Sequence, residues 1–251
     1  MKIATWNINS IRVRIEQLSN FLEANNIDVI FLQEIKCQTE SFPFETFEDQ
    51  GYNCAVYGQK TYNGVAILSK HLIEDVRLGS EVFCADPQSR YIDAFINGHR
   101  MASVYVPNGQ SPDTQTYEYK MDFLKILTKH VQDTLKYESY IIGGDFNIAL
   151  TDMDVYNPKL WHDKICCTTK ERDALQDLLS VGLVDVSRRF SEDAIYTWWD
   201  YRTRGFEKNN GLRLDYILST ESIKFTGSYV DLKTRALERP SDHAPIIAEI
   251  A

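Results

Sequence analysis

Short apolar runs recur along the whole chain, and most are too brief to be helices. Ile3 to Trp6, Val29 to Leu32, Val65 to Leu68, Met101 to Val106, Tyr140 to Gly143, Leu214 to Leu218 and Ile246 to Ile250 are rich in β-branched and aromatic side chains and read as strands. Helical spacing appears between them, at Ile15, Leu18 and Leu22 and again at Leu124, Leu127, Val131 and Leu135. A third helix over Glu171 to Ser180 turns Ala174, Leu175, Leu178 and Leu179 inward and meets Gly182, a candidate C-terminal cap. Strands and helices mix without strict alternation. That pattern disfavours a doubly wound parallel sheet and favours two packed, mostly antiparallel sheets with helices outside. No Pro-, Gly- or Ser-rich linker divides the sequence, so residues 1–251 read as one domain.

One internal echo links two of these strands. IATWNIN and YIIGGDFNI each run from an apolar strand into a polar tip, Asn7-Ile8-Asn9 and Asp145-Phe146-Asn147. Related halves would bring both tips to one end of a sandwich.

Composition narrows the class. The chain is 43% hydrophobic and 25% charged, ordinary for a soluble globular enzyme. Its first residues, MKIATWNINSIRVRIEQL, do not read as a signal peptide, and no apolar run of about 18 residues suggests a membrane span. Cys37, Cys54, Cys84, Cys166 and Cys167 are odd in number and irregularly spaced, which fits reduced thiols in a cytoplasmic protein rather than zinc or disulfides. Nothing marks an obligate protein partner. The net charge of −9 argues against a polyanionic partner, but a local basic face can still hold phosphates. From Arg188 to Arg213 there are six basic residues against four acidic ones, interleaved with aromatics.

The candidate chemistry lies at strand ends. A single polar residue there is usually a turn former, but several together are not. Asn7 follows one strand, Glu34 another, and Asp145 and Asn147 a third. Asp215 lies within an apolar run, where an unpartnered carboxylate would be costly, and Asp242-His243 precedes the last strand. Carboxylates and amides without cysteine make a hard oxygen site, which suits Mg²⁺ or Mn²⁺ better than zinc. Phosphodiester hydrolysis needs a cation to offset phosphate charge, a base for water and a group to stabilise the leaving oxygen. His243 alone among the five histidines directly follows an aspartate at a strand mouth; His71, His99, His130 and His162 read as surface residues.

WNINSIR, LQEIK, NGVAILSK, GGDFNI, TWWDYR-x-RGF, NNGLRLDYIL and PSDHAP, in this order, resemble exonuclease III and the related apurinic/apyrimidinic endonucleases. The resemblance extends over almost the whole chain. Ser-Asp-His alone is a weak signal, whereas Gln-Glu-x-Lys joined with GGDFN and GLRLDY is specific. The resemblance implies a four-layer αββα sandwich and a Mg²⁺-dependent nuclease acting on double-stranded DNA at abasic sites and 3′ ends. It implies metal-binding positions at Asn7, Glu34, Asp145, Asn147, Asp242 and His243. It gives Asp145 the attacking water or the leaving group, Asn147 the phosphate, Tyr105 the role of active-site tyrosine, and Asn108 a phosphate contact. It makes His243 the catalytic histidine and Asp215 the carboxylate that orients it. Asn9 departs from relatives that carry aspartate there, so the resemblance does not extend to a second metal ligand at that position.

Substrate choice points to Tyr196 to Arg202. Two adjacent tryptophans cannot face the same side of a strand, so one of Trp198 and Trp199 faces outward or into a pocket. In the family this loop lines the pocket for an extruded baseless sugar, which implies such a role for Trp198 with Leu212 and Leu214. An apolar slot admits a sugar that has lost its base and excludes a normal nucleotide by size. Arg202 lies where relatives insert a side chain into the duplex, and Arg204 and Lys208 would hold backbone phosphates. Phosphatases of inositol phosphates or phospholipids in the wider superfamily would be expected to lack TWWDYR and GLRLDYIL. A regulator that only binds nucleic acid would be expected to have lost acidic positions that are all present here.

Overall fold

The computed structural model describes residues 1–83 and 86–251, so Cys84 lies outside the described residues. Twelve strands form two sheets: β1 (Lys2–Asn7), β2 (Val29–Gln33), β3 (Asn53–Tyr57), β4 (Val65–Ser69), β5 (Glu74–Leu78), β6 (Tyr91–Ile96), β7 (His99–Tyr105), β8 (Tyr140–Asp145), β9 (Leu183–Asp185), β10 (Asp215–Thr220), β11 (Phe225–Val230) and β12 (Ile246–Ile250). The helices are α1 (Ile11–Asn25), α2 (Phe44–Glu48), α3 (Gly79–Val82), α4 (Gln115–Thr134), α5 (Pro158–Trp161), α6 (Thr169–Ser180) and α7 (Leu232–Arg235). One sheet has the order β11-β12-β1-β2-β4-β3 and the other β5-β6-β7-β8-β10-β9. Pairing is antiparallel except at β1–β2 and β7–β8, which lie near the middle of each sheet.

Three apolar clusters account for four layers. Ile3, Val29, Phe31, Ile67, Ile92, Ile141, Ile217 and Ile246 interdigitate between the sheets. Leu18, Phe21 and Leu22 of α1, with Phe47 of α2, cover the outer face of the first sheet. Leu124, Leu127 and Val131 of α4, with Leu175 and Leu178 of α6, cover the outer face of the second. The expected αββα sandwich is present, and every strand read from the sequence lies at or within two residues of an observed one. The third helix ends as expected, with Gly182 at φ +120 just beyond it, though Ala174 and Leu179 are only partly buried. Strands β3, β5, β6, β9 and β11 were not foreseen. β5 carries Glu74, Asp75 and Arg77 along an exposed edge, so it lacks the apolar run that marks a strand. Among the described residues, no helix is long and apolar enough to cross a membrane, and Cys37, Cys54, Cys166 and Cys167 are unbridged.

The glycine pair of GGDFNI has a packing cause. A Cβ on Gly143 would lie 2.3 Å from the Phe31 ring of the facing sheet, and one on Gly144 would lie 2.0 Å from the Val104 carbonyl oxygen. β8 therefore runs close to its neighbours on both faces and delivers Asp145 to the sheet end with no room to spare. Gly143→Ala and Gly144→Ala should each lower stability by about 1–3 kcal/mol, the usual cost of overpacking. Gly227→Ala, where a Cβ meets nothing within 4 Å, should be close to neutral. Urea denaturation midpoints test this, and equal midpoints for all three would contradict the packing account.

Candidate active site

Both echoed tips meet, as their sequence likeness implied. The parallel pairs β1–β2 and β7–β8 end at the same side of the sandwich, so Asn7, Glu34, Tyr105 and Asp145 leave their strands together. The buried amide Nδ2 of Asn7 donates to Glu34 Oε1 and to Asp145 Oδ2, both at 2.9 Å. Asp145 Oδ1 accepts from the Asn147 main-chain N–H at 2.9 Å, in a turn that puts Asn147 at φ +51. Asn147 Nδ2 donates to the Val106 carbonyl at 2.9 Å, and its Oδ1 accepts from Asn108 Nδ2 at 3.0 Å.

Strand β10 brings Asp215 opposite Asp145 in antiparallel register. His243 enters from the turn before β12, with Nδ1 2.8 Å from Asp215 Oδ2 and Nε2 3.7 Å from Asp145 Oδ2. Burial works against a charged imidazole, but Asp215 and then Asp145 outweigh it and raise the His243 pKa to about 10. Burial pushes the Asp145 carboxyl up, against the lowering effect of His243, and Asp215 adds to the rise. One imidazolium thus serves two buried carboxylates. Burial, then Glu34 and Asp145, hold the Tyr105 phenol well above its ordinary value, so it stays a donor. The Arg90 guanidinium lies 4.7 Å over the Tyr105 ring.

The remaining candidates fall at varied distances from this centre. Asp242 is fully engaged: Oδ1 accepts from Asn9 Nδ2 at 2.9 Å and Oδ2 from the Trp198 indole N–H at 3.0 Å. Trp199 is buried while Trp198 is half-buried, as the alternation requires. Trp198 packs with Trp161 and Ile165 against a cluster that includes the buried Leu212 and Leu214. Arg202, Arg204 and Lys208 are exposed on one loop, where Arg202 pairs with Asp200. The basic stretch as a whole needs correction. Arg213 is buried against Asp154 and Asp185 and cannot meet phosphate, and the half-buried Arg188 is paired with Asp154, so both brace the fold. His71, His99 and His130 also differ from their surface reading, each being half-buried, with His99 2.7 Å from Ser139 Oγ and His130 2.9 Å from the Tyr91 hydroxyl, whereas His162 is exposed.

Several residues that shape the site had been given no role. Lys36 Nζ lies 2.8 Å from Glu34 Oε2 and donates to Asn9 Oδ1 at 2.6 Å. Thr197 Oγ1 accepts from the main-chain N–H groups of Leu214 and Asp215. Ser241 Oγ donates to the Asn7 carbonyl at 2.6 Å and accepts from His243 N–H at 3.2 Å. All three lie inside motifs already noted. Arg14 is different, since nothing marks it on an amphipathic helix, yet it donates to the carbonyls of Ile8, Asn9 and Pro240.

The donor set fits a hard divalent cation. Asn7, Glu34 and Asp145 bring an amide and two carboxylates together at the converged tips, and Asp145 also belongs to a buried group with Asp215 and His243 whose polar atoms lie within 4.8 Å of one another. Among the described residues no thiolate joins these carboxylates and amide, which are oxygen donors of the kind hard divalent cations take.

A family model described as Endonuclease/Exonuclease/phosphatase matches residues 4–243. The chain is 36% identical to exodeoxyribonuclease III of Haemophilus influenzae, over 99% of each chain. Its fold is similar to that of the 3′ phosphatase NExo from Neisseria bound to a product DNA hairpin, with a TM-score of 0.98 and 44% identity over 100% of this chain and 99% of that one. It is similar also to an AP endonuclease from Archaeoglobus fulgidus, at a TM-score of 0.96 and 36% identity over 100% and 99% of the two chains.

The geometry makes Asp215 the main source of the raised His243 pKa. In wild type without metal, His243 should stay protonated through neutral pH and lose its proton only near pH 10. Asp215→Asn removes the leading raising charge and leaves burial, which favours the neutral ring, so the midpoint should fall. Imidazole NMR titration of both proteins reads the change, and an unmoved midpoint would refute the assignment.

Proposed function

The chain belongs to the Endonuclease/Exonuclease/phosphatase family, and on that footing we propose that it is a metal-dependent DNA repair nuclease that hydrolyses phosphodiester bonds in duplex DNA. Its substrates are the bond 5′ to an abasic site and the last linkages of 3′ ends. The observation that carries this reading is the buried His243 ring held between Asp145 and Asp215, at the end where Asn7, Glu34, Asn108 and Asn147 converge. A phosphodiester monoanion gains further negative charge as water attacks it, so it needs positive charge and donors at one side and a proton acceptor at the other, and this arrangement supplies both.

Glu34, Asn7 and Asp145 would hold the cation, with Asp242 and Asn147 beside them. When bound, Mg²⁺, or Mn²⁺ in its place, would offset phosphate charge and lower the cost of forming hydroxide. His243 donates through Nδ1 to Asp215, which leaves Nε2–H to meet a phosphate oxygen. A protonated ring cannot also give a lone pair to metal, so we assign His243 to the phosphate. Asp145, 3.7 Å from that nitrogen, takes the proton of the attacking water. Asn147 and Asn108 offer their amides to the phosphate, and Tyr105, held in its phenol form, offers its proton to the leaving oxygen as the bond to phosphorus breaks. Asp215 keeps the imidazole oriented and charged.

The apolar cluster under Trp198 supports a slot for a sugar without its base. The 44%-identical Neisseria protein is a 3′ phosphatase, which favours 3′-end processing as a second activity of the same centre. A duplex with one abasic analogue and a duplex with a 3′-phosphate, each incubated with Mg²⁺ or with chelator, test both. Cleavage of neither substrate in Mg²⁺ would overturn the proposal. Asp145→Asn should lower the cleavage rate by about 10²–10⁴-fold, the usual loss for a general acid or base, with unchanged circular dichroism. Wild-type turnover in that folded variant would remove Asp145 from the chemistry.

The exposed basic loop supports phosphate contacts despite the net charge of −9. Each such contact adds about −0.9 to the slope of log K against log salt. Replacing Arg204 and Lys208 with alanine should flatten that slope by about one to two, equally for abasic and intact duplexes. A change confined to abasic DNA would mean that the loop reads the lesion.

A further inference from the structure

Beneath the asparagines at the site lies a lysine that no surface reaches. Lys120 is on α4 and is 0% exposed. Its ammonium donates to the main-chain carbonyls of Asn147 at 2.8 Å and Asn108 at 3.2 Å, and to the carboxylate of Glu171. Asn108 follows β7 and Asn147 follows β8, so one charged group ties together two separate strand tips. On the other side of those backbones, the amides of the same two residues bond to each other.

We propose that Lys120 is a positioning residue, whose ammonium fixes Asn108 and Asn147 at the separation that phosphodiester cleavage requires. The inference rests on the nuclease reading above. Its grounds are geometric. Asn147 has φ +51, and a carbonyl in such a turn has no strand or helix partner within reach. An ammonium with three rotatable donors can satisfy two carbonyls and a carboxylate at once. Glu171 is equally committed. Its Oε1 also accepts from Cys166 N–H, and its Oε2 accepts from Thr168 N–H and Oγ1, which caps α6. The chain between the tips runs tightly over the lysine stem, for a Cβ on Gly109 would lie 3.1 Å from Lys120 Cδ.

Charge alone does not explain the placement. Lys120 and Glu171 are both fully buried and cancel, so the pair offers little net field to a phosphate. Buried ion pairs are seldom more stabilising than apolar replacements. What a pair of apolar side chains could not do is grip two carbonyls, and that grip is what the site uses.

The test compares wild type, the paired variant Lys120→Met with Glu171→Gln, and Lys120→Arg. The paired change leaves no lone buried charge, and Lys120→Arg keeps the charge while replacing a three-pointed donor with a planar fork. Steady-state cleavage of an abasic-site duplex in Mg²⁺ is measured beside thermal melting of each protein. Both variants should lose about 10²-fold in kcat, the scale of an ångström misplacement, with KM changed far less. Added to Asn147→Ala, either change should cost little more, because both act on the same contact. Wild-type kcat in a folded variant would overturn the proposal. So would losses that multiply with that of Asn147→Ala, since they would show an independent role. If the paired variant does not fold, Lys120→Arg decides alone. A wild-type protein that cleaves nothing would overturn the nuclease reading itself, and this inference with it.

Discussion

A carboxylate deprived of water must find a donor or a positive charge, and Asp215 is the point from which the site's order follows. It lies fully buried on a strand, where its charge would be costly alone. His243 meets it through Nδ1, and Thr197 fixes the backbone on which it sits. That bond leaves the other imidazole nitrogen facing Asp145, so one pairing sets the direction of the ring. Asp145 is in turn held by Asn7, and Asn7 holds Glu34. From Asp215 to Glu34 the contacts pass through both sheets without a break. The sandwich is therefore part of the site, because each sheet supplies tips that only its packing against the other brings into contact.

The same requirement recurs one layer deeper with its sign reversed. Arg14, Lys120 and Arg213 are buried cations, and each gathers chain from places distant in sequence. Arg14 draws the carbonyls of Ile8, Asn9 and Pro240 together, joining the Asn7 tip to the turn that carries His243. Lys120 joins the tips of β7 and β8. Arg213 lies between Leu212 and Leu214 and anchors their segment to Asp154 and Asp185. Loops at a sheet end have no ladder to hold them, and carbonyls there cannot stay unpaired when buried. Long cationic side chains answer both needs, since one head group reaches several acceptors.

The sequence disclosed the strands and the strand-tip chemistry because both depend on local pattern. Apolar runs ending in Asn7, Glu34 and Asp145 were legible as strands that deliver polar groups, and the likeness of the two tips anticipated their meeting. The expectation of a partner for Asp215 followed from burial alone. What stayed hidden depends on distant contacts. Lys120 and Arg14 occur in helices where a charged residue normally faces water, and no spacing marks them as buried. Arg188 and Arg213 looked like a phosphate-binding stretch because sequence proximity to exposed bases cannot show that Asp154 neutralises them from 59 residues away in the second case. Edge strands such as β5 escaped because exposed edges carry charge, which erases the alternation.

Backbone strain gives the last link between the fold and the chemistry. Asn9, Glu34, Lys36, Asn147 and Cys166 all have positive φ, a conformation that costs free energy in any residue but glycine. These five lie at or beside the converged tips, although left-handed residues also occur elsewhere along the chain. Such turns persist only if the surroundings over-determine them. Here they do so: the Glu34 and Ile35 carbonyls accept from Ser10 and Ile11, Gly64 and Asn63 accept from Ile35 and Lys36, Lys120 grips the Asn147 carbonyl, and Glu171 accepts from Cys166. A left-handed residue at a strand tip turns the chain sharply, and so directs a carboxylate or amide inward where an ordinary turn would release it to solvent. The strain is thus the means by which short strands present several polar groups to one small volume. The buried cations and the glycine pair of β8 keep that volume from relaxing, so the positioning that catalysis demands is built into the protein before any substrate arrives.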